Sequence, residues 1–443
     1  MNCRTGFVAL AFALAAVPTL AQSPDARGST YMDFKGKMLV AISDADMVAS
    51  AYIDGLLGSE QGQDALTVIP LDNPAGPWKT AKTYVGNSVT GPASAVTTTP
   101  DGRFAIVVET VGKRPADRVD PKMTDLASSR KITVVNLTNP AQPRAVQTLE
   151  GPEQPFTVTI NGAGNLVAIT HAIAGAGKVT PLSLYRFENG RLSFLASPSI
   201  PDWTLGDVLF DATFHPTENI LALINNTKGE LSLVRVEGEG NALSFVKWGN
   251  TLPTEQTPFT ARFTPDGRFV LTDALYTNYY PTTPRGTISS FKLADLNTTH
   301  ETPSHAFVSR ISTGRYPEGL AISPDGRWAV TANLENSPQL QASPIQSFYS
   351  SLSLIRIDPV TGKLIAVGTY PFDGILPEGV VFDNSSRFVA ATTYDHYDGR
   401  NPGGSIDIWR IAEDHTDASR VEFFKTNRSI PVTRGVHTLV IVR

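Results

Sequence analysis

One short phrase recurs along this chain and limits what it can fold into. At its clearest it reads Tyr316-Pro-Glu-Gly-Leu-Ala-Ile-Ser-Pro-Asp-Gly-Arg-Trp-Ala-Val-Thr-Ala-Asn333, two apolar runs either side of Pro324-Asp325-Gly326. Proline presets φ for the first corner of a turn, aspartate bonds back to its own backbone, and glycine accepts positive φ. Short β-rich runs around such a turn predict a β-hairpin. Close copies occur at Thr99–Arg103 and Thr264–Arg268, and looser ones at Asn161–Asn165, His215–Asn219, Asp383–Arg387 and Phe34–Lys37. An apolar strand follows every copy. Seven copies at roughly 50–65-residue spacing indicate a β repeat architecture.

A second strand pair follows the hairpins. Examples are Ser129–Leu137 with Arg144–Leu149, Ser350–Ile357 with Leu364–Tyr370, and Ser405–Ile411 with Val421–Lys425. Four strands in each of seven units predict an all-β, seven-bladed propeller. The first unit lacks an inner strand, and the C-terminal run Thr433–Val442 has no partner of its own. That run is expected to complete the first blade and remove the open sheet edges. Aligned on the recurring phrase, Arg434-Gly435 falls on Glu318-Gly319.

Arg4, the apolar run Phe7–Val17 and the small-residue stretch ending at Ala21 have the form of a secretory signal. Residues 1–21 are therefore expected to be cleaved, leaving one propeller domain over 30–443 in the periplasm or outside the cell. The sole cysteine, Cys3, falls inside that leader, so the mature chain has no thiol chemistry. A formal net charge of −5 without a basic stripe argues against nucleic acid. No other stretch approaches the ~18 apolar residues of a membrane span.

Strand order then selects a face. The starts of the inner strands and the ends of the second strands meet around one channel mouth, where the long loops Thr110–Ser128, Ala274–Arg285, Leu334–Tyr349 and Asp395–Gly404 also lie. Long loops on a rigid scaffold commonly carry function. The inner-strand starts supply Glu318, Glu378 and Arg434, with His437 further along the last strand. The second-strand ends supply Glu109, His171, Asn225, Asp273, Asn333, Glu335, Tyr394 and His396. Two carboxylates beside a guanidinium would have coupled titrations. One can act as general base toward water, the arginine can stabilise an oxyanion, and a histidine can return the proton. The same residues can equally cap free N–H groups at strand starts. No cofactor is expected, although Glu318, Glu378 and Asn333 could hold a divalent cation. His215 belongs to a turn on the opposite face, and His300, His305 and His415 are expected to be solvated.

Other motifs are absent. Ala172–Lys178 is glycine-rich without P-loop spacing, Asp395–Asn401 lacks calcium-loop spacing, and there is no Gly-x-Ser-x-Gly elbow or His-Glu-x-x-His run.

The phrase Tyr-Pro-Glu-Gly-Leu-Ala-Ile-Ser-Pro-Asp-Gly-Arg followed by Ala-Val-Thr-Ala-Asn resembles the lactonase-like, YVTN-type seven-bladed propellers. That group includes relatives of 6-phosphogluconolactonase and of the 3-carboxymuconate-cyclising enzyme. The resemblance extends from about Met32 to Arg443. It implies a small lactone or muconate-type ligand at the mouth, contacted by Glu318, Glu378, Arg434 and His437. The leading expectation is an exported lactone hydrolase. The alternatives are a non-catalytic binding or scaffold propeller with a protein partner, and a non-redox subunit of a periplasmic dehydrogenase.

Overall fold

The computed structural model describes residues 32–171, 181–276, 285–296, 303–397, 403–414, 417 and 420–443. The expected leader and the glycine-rich run 172–178 lie outside the described residues. Asp33–Arg443 forms one compact unit of seven antiparallel sheets, each with four strands in sequence order apart from the first. The fourth sheet carries an extra short strand, Leu252–Pro253. The innermost strands are Val436–Val442 in blade one, Val96–Thr98 in two, Pro155–Ile160 in three and Leu209–Phe214 in four. Pro258–Phe263, Pro317–Ile322 and Val380–Phe382 complete the ring in blades five to seven. Each touches the next around a closed circle.

Ring closure follows the sequence expectation. Val436–Val442 pairs antiparallel with Met38–Ser43, from Met38 opposite Val442 to Ser43 opposite Val436. The C-terminus therefore supplies the strand that the N-terminus lacks.

Burial explains the composition of each strand. Second strands such as Trp328–Asn333, Ile220–Asn225 and Phe388–Thr393 are buried along their whole length. Neighbouring blades cover both their faces, so they read as continuous apolar runs. Outer strands such as Leu364–Phe372 mix buried and exposed positions because one edge meets water.

The recurring turn is a small hydrogen-bonded device. Thr99 Oγ1 donates to Asp101 Oδ1 (2.6 Å), Thr264 Oγ1 to Asp266 Oδ1 (2.6 Å), and Ser323 Oγ to Asp325 Oδ1 (2.6 Å). The same hydroxyls accept the N–H of Phe104, Phe269 and Trp328 at 3.1, 3.1 and 2.9 Å. The looser copies use other acceptors for the same task. Asn161 Oδ1 accepts the N–H of Leu166, Asp383 Oδ1 that of Phe388, and His215 Nδ1 that of Glu218. His215 is therefore a turn residue, as expected. His305 departs from expectation: it is buried, bridging Trp248 O and the N–H of Ala294.

A candidate active site at the channel mouth

A left-handed residue precedes the inner-strand proline in four blades: Gln154, Thr257, Tyr316 and Leu376, with φ of 51°, 55°, 53° and 51°. This shared entry turn sets a common register. Counting from the paired positions, Phe156, Phe210, Phe259, Glu318 and Glu378 occupy one level in blades three to seven. The three phenylalanines pack in a row, Phe156 edge-on to Phe210 and Phe210 tilted against Phe259, with centroids 5.5 and 5.4 Å apart. Blades three to five thus present aromatic rings at this level and blades six and seven carboxyls.

In blade one the same level is held by His437, not by Arg434. The sequence alignment was three residues out. Gly435 is a turn residue at φ 84° whose Cβ would strike the Asp44 carbonyl. Gly319 is a different kind of glycine: a Cβ there would strike the Glu378 carbonyl of the next blade. The two glycines match in sequence but not in cause.

The carboxylates form an arc over consecutive blades: Asp211, Asp273, Glu318, Glu378 and Asp44. Asp273 is fully buried; Thr260 donates to its Oδ1 from N–H (2.7 Å) and Oγ1 (2.9 Å), while Oδ2 has no partner. Burial pushes it up to about 7, against the pull of Thr260 and Arg262. Glu318 is half-buried as a residue, yet its carboxyl is desolvated; burial and then the Asp273 charge raise it to about 8. Glu378 is 1% exposed and neither carboxyl oxygen is hydrogen-bonded. Burial, then Glu318, then Asp44 hold it well above the usual carboxylate range. Two like charges cannot both be sustained in one dry site, so the pair keeps at least one proton between them.

Glu378 lines an axial cavity of about 360 Å³ formed by the inner strands. Arg262 crosses that cavity from blade five. Its Nη1 donates to Asp211 Oδ2 (2.7 Å) and its Nη2 to Ser94 Oγ (2.8 Å) on blade two.

Over the mouth lies a segment that the sequence reading passed over, the blade-one loop Asp44–Asp64. It contains one helical turn, Ala51–Asp54. Met47, Ala49 and Leu57 pack against Leu334, Leu376 and Tyr394 from blades six and seven. Three side chains pin it. Tyr394 Oη donates to Met47 O (2.7 Å), Arg114 Nη1 to Asp46 O (2.8 Å), and Arg434 Nη2 to the carbonyls of Ser59 and Ala45. Tyr52 is 39% exposed, but its hydroxyl is buried and donates to Val89 O (2.8 Å). Burial raises that hydroxyl, and so do the charges of Glu378 and Glu318. Tyr394→Phe should cost about 1 kcal/mol in chemical denaturation, the net worth of one buried hydrogen bond. It should also speed proteolysis within residues 44–64; equal cleavage in both proteins would contradict the pinning.

Other candidates from the sequence are committed to the scaffold. Asn333 bonds Thr331, Ser351 and Ser353. Glu109 accepts from Ser129 (2.9 Å) and Lys131 (3.1 Å). His171 bridges Ser183 Oγ (2.7 Å) and Glu153 O (3.0 Å), and burial lowers it to about 4. Asn225 caps its own hairpin through Lys228 N–H, and His396 meets Ser405 (3.1 Å). His437 contacts Asn87 (2.8 Å) and Thr438 (3.1 Å), and burial lowers it to about 3. It is therefore a neutral hydrogen bonder. Glu335 accepts from Ser351 (2.7 Å) in a separate pocket.

With Asn333 engaged, only the two glutamates remain of the cation ligands expected at the mouth. Asp44, Asp46 and Asp64 bring ligand oxygens within 4.8 Å of one another. Those oxygens already accept N–H bonds from Val89, Ala45, Asn87 and Arg114, among others. Burial, followed by Asp44 and Asp46, raises Asp64 to about 8. Asp44 was within reach of sequence reasoning, since it directly follows the blade-one second strand Met38–Ser43.

The fold is that of a seven-bladed β-propeller. No protein-family profile matches the sequence, and no curated protein matches it. Among solved structures the chain resembles the periplasmic gluconolactonase PpgL of Pseudomonas aeruginosa, with a TM-score of 0.59 and 15% identity over 91% of this chain and 99% of that one. A 6-phosphogluconolactonase candidate from Bacteroides uniformis gives 0.58 and 14%, over 93% and 100%. A hypothetical selenium-binding protein from Sulfolobus tokodaii gives 0.56 and 10%, over 92% and 94%. At these identities the likeness is one of fold, and one fold hosts many chemistries. Among the described residues no helix is long and apolar enough to cross a membrane.

Proposed function

We propose that the mouth hydrolyses a small lactone, with Glu318 and Glu378 as the working pair. The observation that carries this reading is the Glu378 carboxyl: buried, without a hydrogen bond and beside a second desolvated carboxyl, on a residue that lines the axial cavity. Leaving such a group unsatisfied costs about 1–3 kcal/mol or more. A polar ligand would offset that cost.

The chemistry needs one ionised and one protonated carboxyl. The ionised member takes a proton from water as the water oxygen bonds to the lactone carbonyl carbon. The protonated member donates a hydrogen bond to the oxygen on which charge develops. The ring C–O bond then breaks, and the leaving alkoxide takes the proton that the base has just accepted. The product is a hydroxy acid, and no redox cofactor takes part. Arg434 supports the reaction at a distance by holding the covering loop. The gluconolactonase and 6-phosphogluconolactonase descriptions of the similar structures support this class of substrate. PpgL is described as periplasmic, and the leader-like residues 1–21 support the same destination for this chain.

The test is a panel of sugar and aromatic lactones followed by pH-stat. Turnover should rise as pH passes about 8, where Glu318 ionises. Glu318→Gln should lower it about 100-fold, within the usual range for general acid–base groups. Turnover no faster than buffer, or unchanged in the variant, would overturn the reading. A lactone-induced thermal shift without turnover would leave a binding protein instead.

A further inference from the structure

A second pocket, of about 480 Å³, opens at the rim between blades five and six. It shares no lining residue with the axial cavity. Three chain segments are tied together there by backbone bonds. Gly286 N–H donates to Gly314 O (2.9 Å), Thr313 N–H to Gly286 O (2.9 Å), and Glu335 N–H to Arg315 O (3.1 Å). Those bonds bring Arg285, Arg315 and Glu335 to one place. Tyr349, Ser351 and Thr369 complete the wall.

Charge is placed here without being spent. Among the described residues, neither guanidinium is hydrogen-bonded or ion-paired, not even to Glu335 within the same pocket. Glu335 is 8% exposed, and its one side-chain bond is from Ser351 (2.7 Å). Its backbone sits at φ 55°. The other left-handed residues at strand entries recur from blade to blade, but among the described residues Glu335 has no counterpart. A non-glycine residue in that region costs on the order of 1–3 kcal/mol, and the inference runs from such an outlier to function. The neighbouring Gly314 is also required, because a Cβ there would lie 2.4 Å from Glu335 Oε1.

We infer that this rim pocket binds a sugar acid, a saccharide unit with one carboxylate and neighbouring hydroxyls. Each part of the ligand has a partner of matching chemistry. Two planar guanidinium forks suit a carboxylate. An ionised carboxyl accepts from hydroxyls, so Glu335 takes the ring hydroxyls, helped by the hydroxyl of Thr369. The Tyr349 ring, 46% exposed, offers an apolar face for the C–H side of the sugar. A bare anion would use the arginines alone and be repelled by Glu335. A neutral sugar would leave both arginines idle. The pocket needs no turnover at the mouth, so it stands or falls separately from lactone hydrolysis.

Calorimetry on the full mature chain at low salt tests this, with glucuronate, galacturonate, glucose and inorganic phosphate as probes. A uronate should bind at least tenfold more tightly than glucose or phosphate. Arg285→Ala, at an exposed position, and Arg315→Ala, at a half-buried one, should each weaken it about tenfold or more with unchanged melting temperature. Glu378→Gln should leave uronate binding as it is. No uronate binding at millimolar concentration would overturn the inference. So would equal binding of glucose or phosphate, or binding that survives both arginine variants.

Discussion

Glu378→Gln should lower lactone turnover about 100-fold or more and, at the same time, make the protein more stable above neutral pH. The two effects share one origin. In the folded chain burial and the neighbouring Glu318 hold the Glu378 carboxyl well above its ordinary 4.5. The native state then keeps a proton that the unfolded chain releases once pH exceeds that value. Stability from this group is fully present below about pH 4.5 and is lost as pH climbs toward the raised value. Glutamine is neutral throughout and escapes the loss. Each pKa unit is worth about 1.4 kcal/mol. The variant should therefore melt higher than the wild type near pH 8, and with it near pH 4.5. Melting curves across that range decide the matter. A variant less stable at pH 8 would mean that Glu378 is ionised and satisfied in the native state.

Deleting residues 436–443 should abolish independent folding. Val436, Leu439 and Val442 are buried, and burying such side chains is worth about 1.5–3 kcal/mol each. The deletion also bares Met38–Ser43, a fully buried strand, as an open sheet edge. Domains have only about 5–15 kcal/mol to lose. The truncated chain should aggregate, and a peptide spanning residues 433–443 added during refolding should recover soluble protein. A truncated chain that stays soluble with an unchanged melting temperature would show that the ring holds without its closing strand.

The architecture was legible because its punctuation is local. Pro-Asp-Gly turns recur with the same hydroxyl and carboxylate bonds, and fully buried second strands leave unbroken apolar runs. The closing strand was legible from its lack of any other partner. The site was legible only in part. Glu318 and Glu378 stand out because, among the described residues, no side-chain hydrogen bond engages them, and Asp273 because one of its oxygens is left over, whereas Asn333, Glu109 and His171 look alike in sequence but are spent on strand-to-strand bonds. Arg434 was misplaced because an Arg-Gly pair was matched to a Glu-Gly pair, although Gly435 answers to a turn and Gly319 to a crowded neighbour. The covering loop Asp44–Asp64 lacks regular structure over most of its length, and its hold on the mouth depends on Tyr394, Arg114 and Arg434, all distant in sequence.

Arg262 has a consequence for traffic. By spanning from Asp211 on one side to Ser94 on the other, it sets a cation across the bore of the molecule. A solute following the axis from the covering loop to the far end has to pass this guanidinium. Movement along the axis therefore meets a hydrogen-bonded cation part-way down.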